Sequence, residues 1–427
     1  AELAFDETNK IVGYRVNTFC NLGAYNSRFG QNIQTGLFSK VLMGVYDVQN
    51  TYLNVLGIYT NTTQVDAYRG AGRPEAIYLL ERIMDRASRE LKIDPLELRR
   101  INFIKKDNFP YQSSTGEMID VGDFDRVLTA AEISADIQGF QRRKKESETK
   151  GRLRGLGLCY YIESILGDPS EEAKVVFEED GDVKIFVGTQ SNGQGHETVF
   201  AQFLSDQTGI PTEKITVVQG DSDLIPNGGG TGGSRSVTVQ NNATLAAVEK
   251  VIQAFSRYLS EKLEVDVEDI EFDDISFRIN GSNYSPNVLE VAKMASEDNR
   301  FDLLKHSAKA ILDARSFPNG AHFAEVEVDP ETGFVQVLRY SVVDDFGNLI
   351  NPMLAEGQVH GGVAQGIGQA LYENVVYDQE GQLLTATFMD YGIPRAQDLP
   401  YYKFETECVP STANIMGMKG CGEAGTV

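Results

Sequence analysis

The sequence predicts an α+β chain of two mixed domains meeting near residue 150, and three observations carry that expectation. Residues 11–62 are rich in β-branched and aromatic side chains with turn chemistry between them, which suits strands. A long helical stripe follows from Pro74. Beyond residue 151, short apolar runs alternate with amphipathic stretches, the pattern of strands and helices packed in layers.

The first helix opens at Pro74, because proline is tolerated in a helix only in the first turn. Ile77, Leu80, Met84, Ala87 and Leu91 then recur at spacings of three and four and define a buried stripe. Asp94-Pro95 reads as a cap and start for a second, short helix, and a third begins after Asp123. That third helix decays into QRRKKESETKGR (141–152), the most charged and least patterned stretch, taken as a linker or exposed helix end and as the boundary between segments 1–150 and 151–427. Past it come strands at Glu172–Phe177, Val183–Val187 and Ile215–Val218. Helices are expected at 196–206 and from about Ser236 to Leu263. Two further strands, FAEVEV (323–328) and VQVLRYSVV (335–343), flank a DPETG turn, and a final helix runs through Gly361–Tyr372.

At 427 residues and 41% hydrophobic, the chain can bury a large core. Its formal charge of -23 repels nucleic-acid phosphates and anionic membrane, so neither is expected as a partner. No apolar run is long enough to span a bilayer and no secretory leader pattern is present, so a cytoplasmic location is expected. None of the four cysteines forms a C-x-x-C pair, which argues against a disulfide framework, a zinc site or an iron–sulfur cluster on this chain.

Chemistry concentrates in five glycine-rich segments. After the Val183–Val187 strand, GTQSNGQGHET (188–198) crowds polar residues between glycines at a helix start, where free N–H groups and the dipole favour an anion. Taken alone, the plainer reading is a long polar connection. YRGAGRP (68–74) sets two arginines and two glycines before the Pro74 helix. Arginine forks match phosphate or carboxylate oxygens, although a turn with solvated arginines serves equally well. NGGGTGGSRS (227–236) matches G-x-G-x-x-G but lacks the preceding strand and following acid of a dinucleotide fold, leaving an anion cradle or a mobile lid. GQVHGGVAQGIGQALYE (357–373) carries helix-weakening glycines that ask for a close backbone neighbour or a flat ligand, with Gln358, Gln365 and Gln369 near one face. Finally, MGMKGCGEAG (416–425) places Glu423 among sulfur and apolar groups. A carboxyl there can have a raised pKa and act as a base, though a lone loop glutamate is usually just solvated.

Together and in this order, AYRGAGRPEA (67–76), GTQSNGQGHET, GTGGSRS (230–236), AEVEVDPETG (324–333), GQVHGGVAQGIGQ (357–369), DYGIPRAQDLP (390–400) and KGCGEAG (419–425) resemble the molybdenum-binding subunit of the xanthine dehydrogenase/aldehyde oxidase family. The resemblance covers essentially the whole chain. It implies two elongated mixed α/β molybdopterin-binding domains, with cofactor contacts expected at Arg69, Gly70 and Ala71 of the first loop and at Gly193, Gln194, Gly195 and His196 of the second. The third loop would add Thr231, Gly233, Ser234, Arg235 and Ser236, the helix Gln358 and Gln365, and the last loop Lys419. Ala71 and, by a weaker alignment, Glu163, Ser164 and Ile165 would face substrate. No protein ligand to the metal is expected, since the pterin holds it.

The same resemblance implies Glu423 as the catalytic base of a molybdopterin-dependent oxidoreductase that adds a water-derived oxygen to an electron-poor carbon of an aldehyde or N-heterocycle. The cofactor would be the molybdopterin cytosine dinucleotide of bacterial members. Two electrons would leave through a [2Fe-2S] cluster and FAD on separate iron–sulfur and flavin subunits. The family's subunit begins several hundred residues upstream with a further glycine-rich loop, so a chain supplying that N-terminal half is expected as a partner. The alternative is a non-catalytic scaffold or assembly fragment of such a complex. Gly70 stands where carbon monoxide dehydrogenases of the family carry a copper-binding cysteine. Ala71 stands where purine-oxidising members place phenylalanine, and Leu37 where they place arginine, so a purine substrate is not expected.

Overall fold

The computed structural model describes residues 1–165 and 167–427. Its architecture is mixed: three principal sheets with helices laid on them. The first sheet joins β1 (Glu2–Phe5), β2 (Ile11–Gly23) and β3 (Thr51–Tyr59), the first pair antiparallel and the second parallel. The segment between β2 and β3, expected as further strand, instead includes a short helical passage from Gly30 to Leu37.

Helix α1 (Arg73–Leu91) has Pro74 in its first turn, and Ile77, Leu80 and Met84 of the expected stripe are fully buried. Leu91 is 40% exposed, because the helix terminates there in a left-handed cap at Lys92. Asp94 caps α2 (Pro95–Asn102) by accepting from the N–H groups of Leu96 and Glu97. Helix α3 (Phe124–Ala135) follows, and then α4 (Phe140–Glu148), so of the two readings of 141–152, linker or exposed helix end, the stretch is helical as far as Glu148. Arg143 anchors α4 through ion pairs to Glu325 and Asp136 and is 7% exposed, so the charge run marks a packed helix.

Two four-stranded sheets form the rest. One is ordered β8–β5–β6–β7, from β5 (Ser170–Phe177), β6 (Val183–Val187), β7 (Ile215–Val218) and β8 (Lys305–Ile311). Against it pack α5 (His196–Thr208) and α6 (Asn241–Leu263), with α7 (Val288–Glu297) alongside α6. The other is ordered β11–β10–β9–β4, from β4 (Leu153–Ile162), β9 (Asn319–Val328), β10 (Val335–Asp345) and β11 (Tyr402–Glu407). β9 pairs antiparallel with both β4 and β10, and β11 runs parallel to β10.

The buried residues gather into two cores. One takes residues from both sides of position 150, including Leu80, Phe103, Phe124, Tyr160, Phe323 and Val359. The other is confined to the β5–β8 sheet and its helices, with Phe255 at its centre touching Phe177 and Phe277. The last principal helix, α8 (Pro352–Leu371), begins well before the expected Gly361, because Asn351 caps it by accepting from Leu354 N–H and Pro352 occupies the first turn. Among the described residues, no helix is long and apolar enough to cross a membrane.

Candidate active site

A cavity of about 640 Å³ opens where four of the five glycine-rich segments and the start of α8 converge with Arg69. The 188–195 loop enters it from the end of β6, the 228–236 loop from the approach to α6, and the 419–425 loop from the chain's last residues. Val199, Phe200, Val237, Leu349, Ile350 and Leu354 form apolar wall beside these polar loops.

The C-terminal loop is held by α8. A Cβ added at Gly362 would meet Gly425 Cα at 2.8 Å, so Gly362 is the helix glycine that seats the loop backbone. The reading of a close backbone neighbour holds at this position, while an added Cβ at Gly357 would meet nothing within 4 Å. Arg69 reinforces the joint by donating Nε to Gly422 O at 2.7 Å, Nη1 to Gln365 Oε1 at 2.8 Å and Nη2 to Gln358 O at 3.0 Å. The arginine therefore buttresses the loop with its whole fork.

Glu423 stands on that seated loop at the cavity wall. Gly70 N–H donates to its Oε1 at 3.0 Å, and Arg73 Nη2 donates to its Oε2 at 2.9 Å. Ser234 Oγ lies 3.0 Å from the same Oε2. Gly70 has φ +92°, a conformation that favours glycine and turns its N–H to the carboxylate. Ser234 holds φ +56°, rare for a residue with a Cβ, and the strained backbone aims its hydroxyl.

These contacts reverse the pKa expected for Glu423. Burial pushes the carboxyl up, but the Arg73 guanidinium, a hydrogen bond with Glu163, the Gly70 N–H and Ser234 together bring it below the ordinary glutamate value. The carboxyl that is raised is its neighbour Glu163, pushed well above the usual range by burial and by the Glu423 charge.

His196, at the start of α5, is 5% exposed, and burial lowers its pKa, so the ring is neutral at pH 7. Gln194 Oε1 accepts from Asn192 N–H, which leaves the Gln194 amide nitrogen 3.1 Å from His196 Nε2. Nε2 then accepts, and the proton sits on Nδ1, which has no partner.

Of the residues expected at the site, the cavity is lined by Arg69, Gly193, Gln194, His196, Thr231, Gly233, Ser234, Ser236, Gln358, Gln365, Lys419 and Glu423. Five stand off the wall. Gly70 supports Glu423 from behind. Gly195 starts α5 with φ +80° and packs on Leu354. Arg235 is 1% exposed and ties the glycine loop to β5 through Glu171 at 2.7 Å and the carbonyls of Asp168, Ser170 and Gly230, so its charge is committed to the scaffold. Ala71 and Ser164 are buried, and Ser164 offers its carbonyl to Arg73. Lys419 shows the cavity its stem only, because its ammonium is bound to the buried Asp345 at 2.5 Å.

Arg73, at the centre, was absent from the expected set; it is 2% exposed, and its sequence signal was its place in the same loop as Arg69. Glu163, just past the end of β4, was expected only on the substrate side, by a weaker alignment, and no local pattern marks it as a partner of Glu423.

The donor set fits a molybdopterin. Added Cβ atoms at Gly193, Gly230 and Gly232 would meet nothing within 4 Å, so backbone lies open to an approaching ligand. The unpartnered Nδ1 of His196 and the first turn of α5 provide unsatisfied N–H groups of the kind that bind pterin and phosphate oxygens.

Two molybdopterin cofactor-binding domain models match the chain, one over residues 1–103 and the other over residues 130–400. The chain is 33% identical over its whole length to 55% of the 6-hydroxypseudooxynicotine dehydrogenase complex subunit gamma of Paenarthrobacter nicotinovorans. It is 31% identical over 99% of its length to 55% of the carbon monoxide dehydrogenase large chain of Afipia carboxidovorans. The solved structure of quinoline 2-oxidoreductase from Pseudomonas putida 86 superimposes with a TM-score of 0.91 at 30% identity, over 99% of this chain and 56% of that one. The chain thus spans about half the length of the curated relatives it matches. With the fold, the glycine loops and both domain models in agreement, this chain belongs to the molybdopterin cofactor-binding family that includes the large subunits of molybdenum dehydrogenases and hydroxylases.

Proposed function

We propose that the chain forms the metal-facing part of a molybdenum hydroxylase subunit that oxidises an aldehyde or an N-heterocycle, with Glu423 as its base. The observation that carries this is the setting of Glu423: an ionised carboxylate at a cavity wall, oriented by Gly70 N–H, Arg73 and Ser234, in a loop seated on α8. When bound, the cofactor supplies a two-electron oxidation with a water-derived oxygen. Glu423 would hold the proton on its carboxylate, and three fixed donors keep that carboxylate from turning away. Gln194 and His196 on one side, with Thr231 and Ser236 on another, offer polar groups to the pterin end. The apolar wall keeps the reacting carbon from bulk water and strengthens each charge inside. The relatives are named as subunits or chains of larger assemblies, which supports iron–sulfur and flavin partners to carry the electrons away and a further chain segment to close the site. A cytoplasmic setting accords with four free thiols.

Metal and pterin analysis of the purified complex tests the reading. Molybdenum and a cytosine dinucleotide pterin near one per chain are expected. A loaded complex with only the mononucleotide overturns the cofactor form, and a complex without either group makes the chain a scaffold.

Ala71 gives a second test. Ala71 is 6% exposed and does not line the cavity, which supports Ala71→Phe overpacking the base of the Gly70 turn at a cost of about 1–3 kcal/mol. Molybdenum content and turnover are expected to fall together. A variant with full molybdenum and a changed substrate preference would return Ala71 to the substrate side.

A further inference from the structure

A second carboxyl faces Glu423 across one hydroxyl. Glu163 is wholly buried, and its Oε1 lies 2.9 Å from Ser234 Oγ, the atom that is 3.0 Å from Glu423 Oε2. Ser234 has a single hydroxyl hydrogen. Were both carboxyls ionised, one of these two contacts would set oxygen lone pairs against each other in a dry site, where repulsion between anions is largest. A proton on Glu163 removes the conflict, because Glu163 then has a hydrogen to donate, to Ser234 Oγ or to Glu423 itself, and the Ser234 hydrogen serves the carboxylate contact that is left.

The surroundings agree. Glu163 Oε2 has no hydrogen-bond partner, which a buried carboxylate could not sustain but the carbonyl oxygen of an acid tolerates. Arg73, the nearest cation, is 3.6 Å from Glu163 and makes its shorter contacts with Glu423, Gly70 O and Ser164 O. Arg69 is engaged with carbonyl and amide oxygens. The other titratable groups whose charge reaches Glu163 are Tyr161 and Cys421, both buried and both held neutral by that burial.

Resting on the reading of Glu423 as the base, we propose that Glu163 is a positioning residue that carries a proton at working pH and, through Ser234, keeps Glu423 ionised and aimed into the cavity. The two carboxyls titrate as a pair: the first proton leaves Glu423, and the second leaves Glu163 only at much higher pH. Loss of that second proton returns the lone-pair conflict at Ser234, so the pH–rate profile carries an alkaline limb that belongs to Glu163.

Infrared difference spectra of the purified complex provide a readout independent of turnover. The protonated carboxyl gives a carbonyl band above the amide region that shifts in D2O, and Glu163→Gln abolishes it. In the assembled enzyme, Glu163→Leu is expected to lower kcat roughly 10- to 100-fold with KM little changed, the effect of removing one hydrogen bond to a charged group. Glu163→Gln, which keeps a donor for Ser234, rescues most of that loss and abolishes the alkaline limb. Absence of a Glu163-dependent band, an unchanged alkaline limb in Glu163→Gln, or a Gln variant as slow as the Leu variant would each overturn the proposal. Should Glu163→Leu fail to fold, the band and the Gln profile still decide. An active Glu423→Gln enzyme would instead remove the base reading, while the band continues to report whether Glu163 holds its proton.

Discussion

Glu423→Gln in the assembled enzyme is expected to keep its molybdenum and pterin, fold normally and lose nearly all turnover. Glutamine matches the size of the side chain, and its amide oxygen can still accept from Gly70 N–H. It cannot take a proton. General base catalysis is worth roughly 10²–10⁴-fold, and among the described residues the only other carboxyl at the cluster, Glu163, is buried without exposure. The sign of the pH effect follows from the lowered pKa. Glu423 is ionised, and so competent, above that value, and the acid limb it controls lies below the ordinary glutamate range. The Gln variant's residual rate should lack that limb. A fully loaded variant turning over within a few-fold of the parent would make Glu423 a packing feature of its loop.

The second large effect belongs to Arg73. Arg73→Met removes the one cation in hydrogen-bond contact with Glu423 among the described residues and leaves that largely buried carboxylate, its side chain 14% exposed, with only the Gly70 N–H and Ser234 beside it. Breaking a buried ion pair from one side costs about 3–5 kcal/mol. A depressed carboxyl pKa contributes stability that is present above the unfolded value and lost as pH falls through the folded one. The variant's penalty should therefore be full at neutral pH and shrink in acid, once Glu423 is protonated. A part that persists in acid belongs to the lost bonds to Gly70 O and Ser164 O. With Arg73 gone, burial dominates at Glu423, so the acid limb of activity should move up toward neutrality. Chemical denaturation at several pH values reads the first effect and the pH–rate profile the second. A penalty constant with pH, with an unmoved limb, would show that Arg73 acts on the backbone alone.

Much of the fold was legible because its signals are local. Val183–Val187 and Ile215–Val218 end where their apolar alternation ends, and the first helices start at proline with Asp94 as a cap. The elements that escaped notice derive their identity from neighbours. β4, LRGLGLCYYI, is interrupted by glycines and becomes a strand by pairing along its full length with β9. β11, YKFETE, is short and polar and is ordered by lying parallel to β10. The charge run at 141–152 looked like a linker because Glu325, the partner that buries Arg143, lies far along the chain.

The site divides the same way. By itself the sequence determined the family and the glycine loops and singled out Glu423 as the candidate base, because those loops are written as contiguous residue types whose backbone must approach a ligand closely. Only the tertiary structure decided the surroundings of Glu423. It brought Arg73, Ser234 and Glu163 around one carboxyl from segments spread across the chain, drew Arg235 and the Lys419 ammonium into the scaffold, and reversed the direction of the Glu423 pKa. The reason is physical: a carboxyl's proton affinity is set by the charges and donors within a few ångströms, and those distances exist only once the chain has folded.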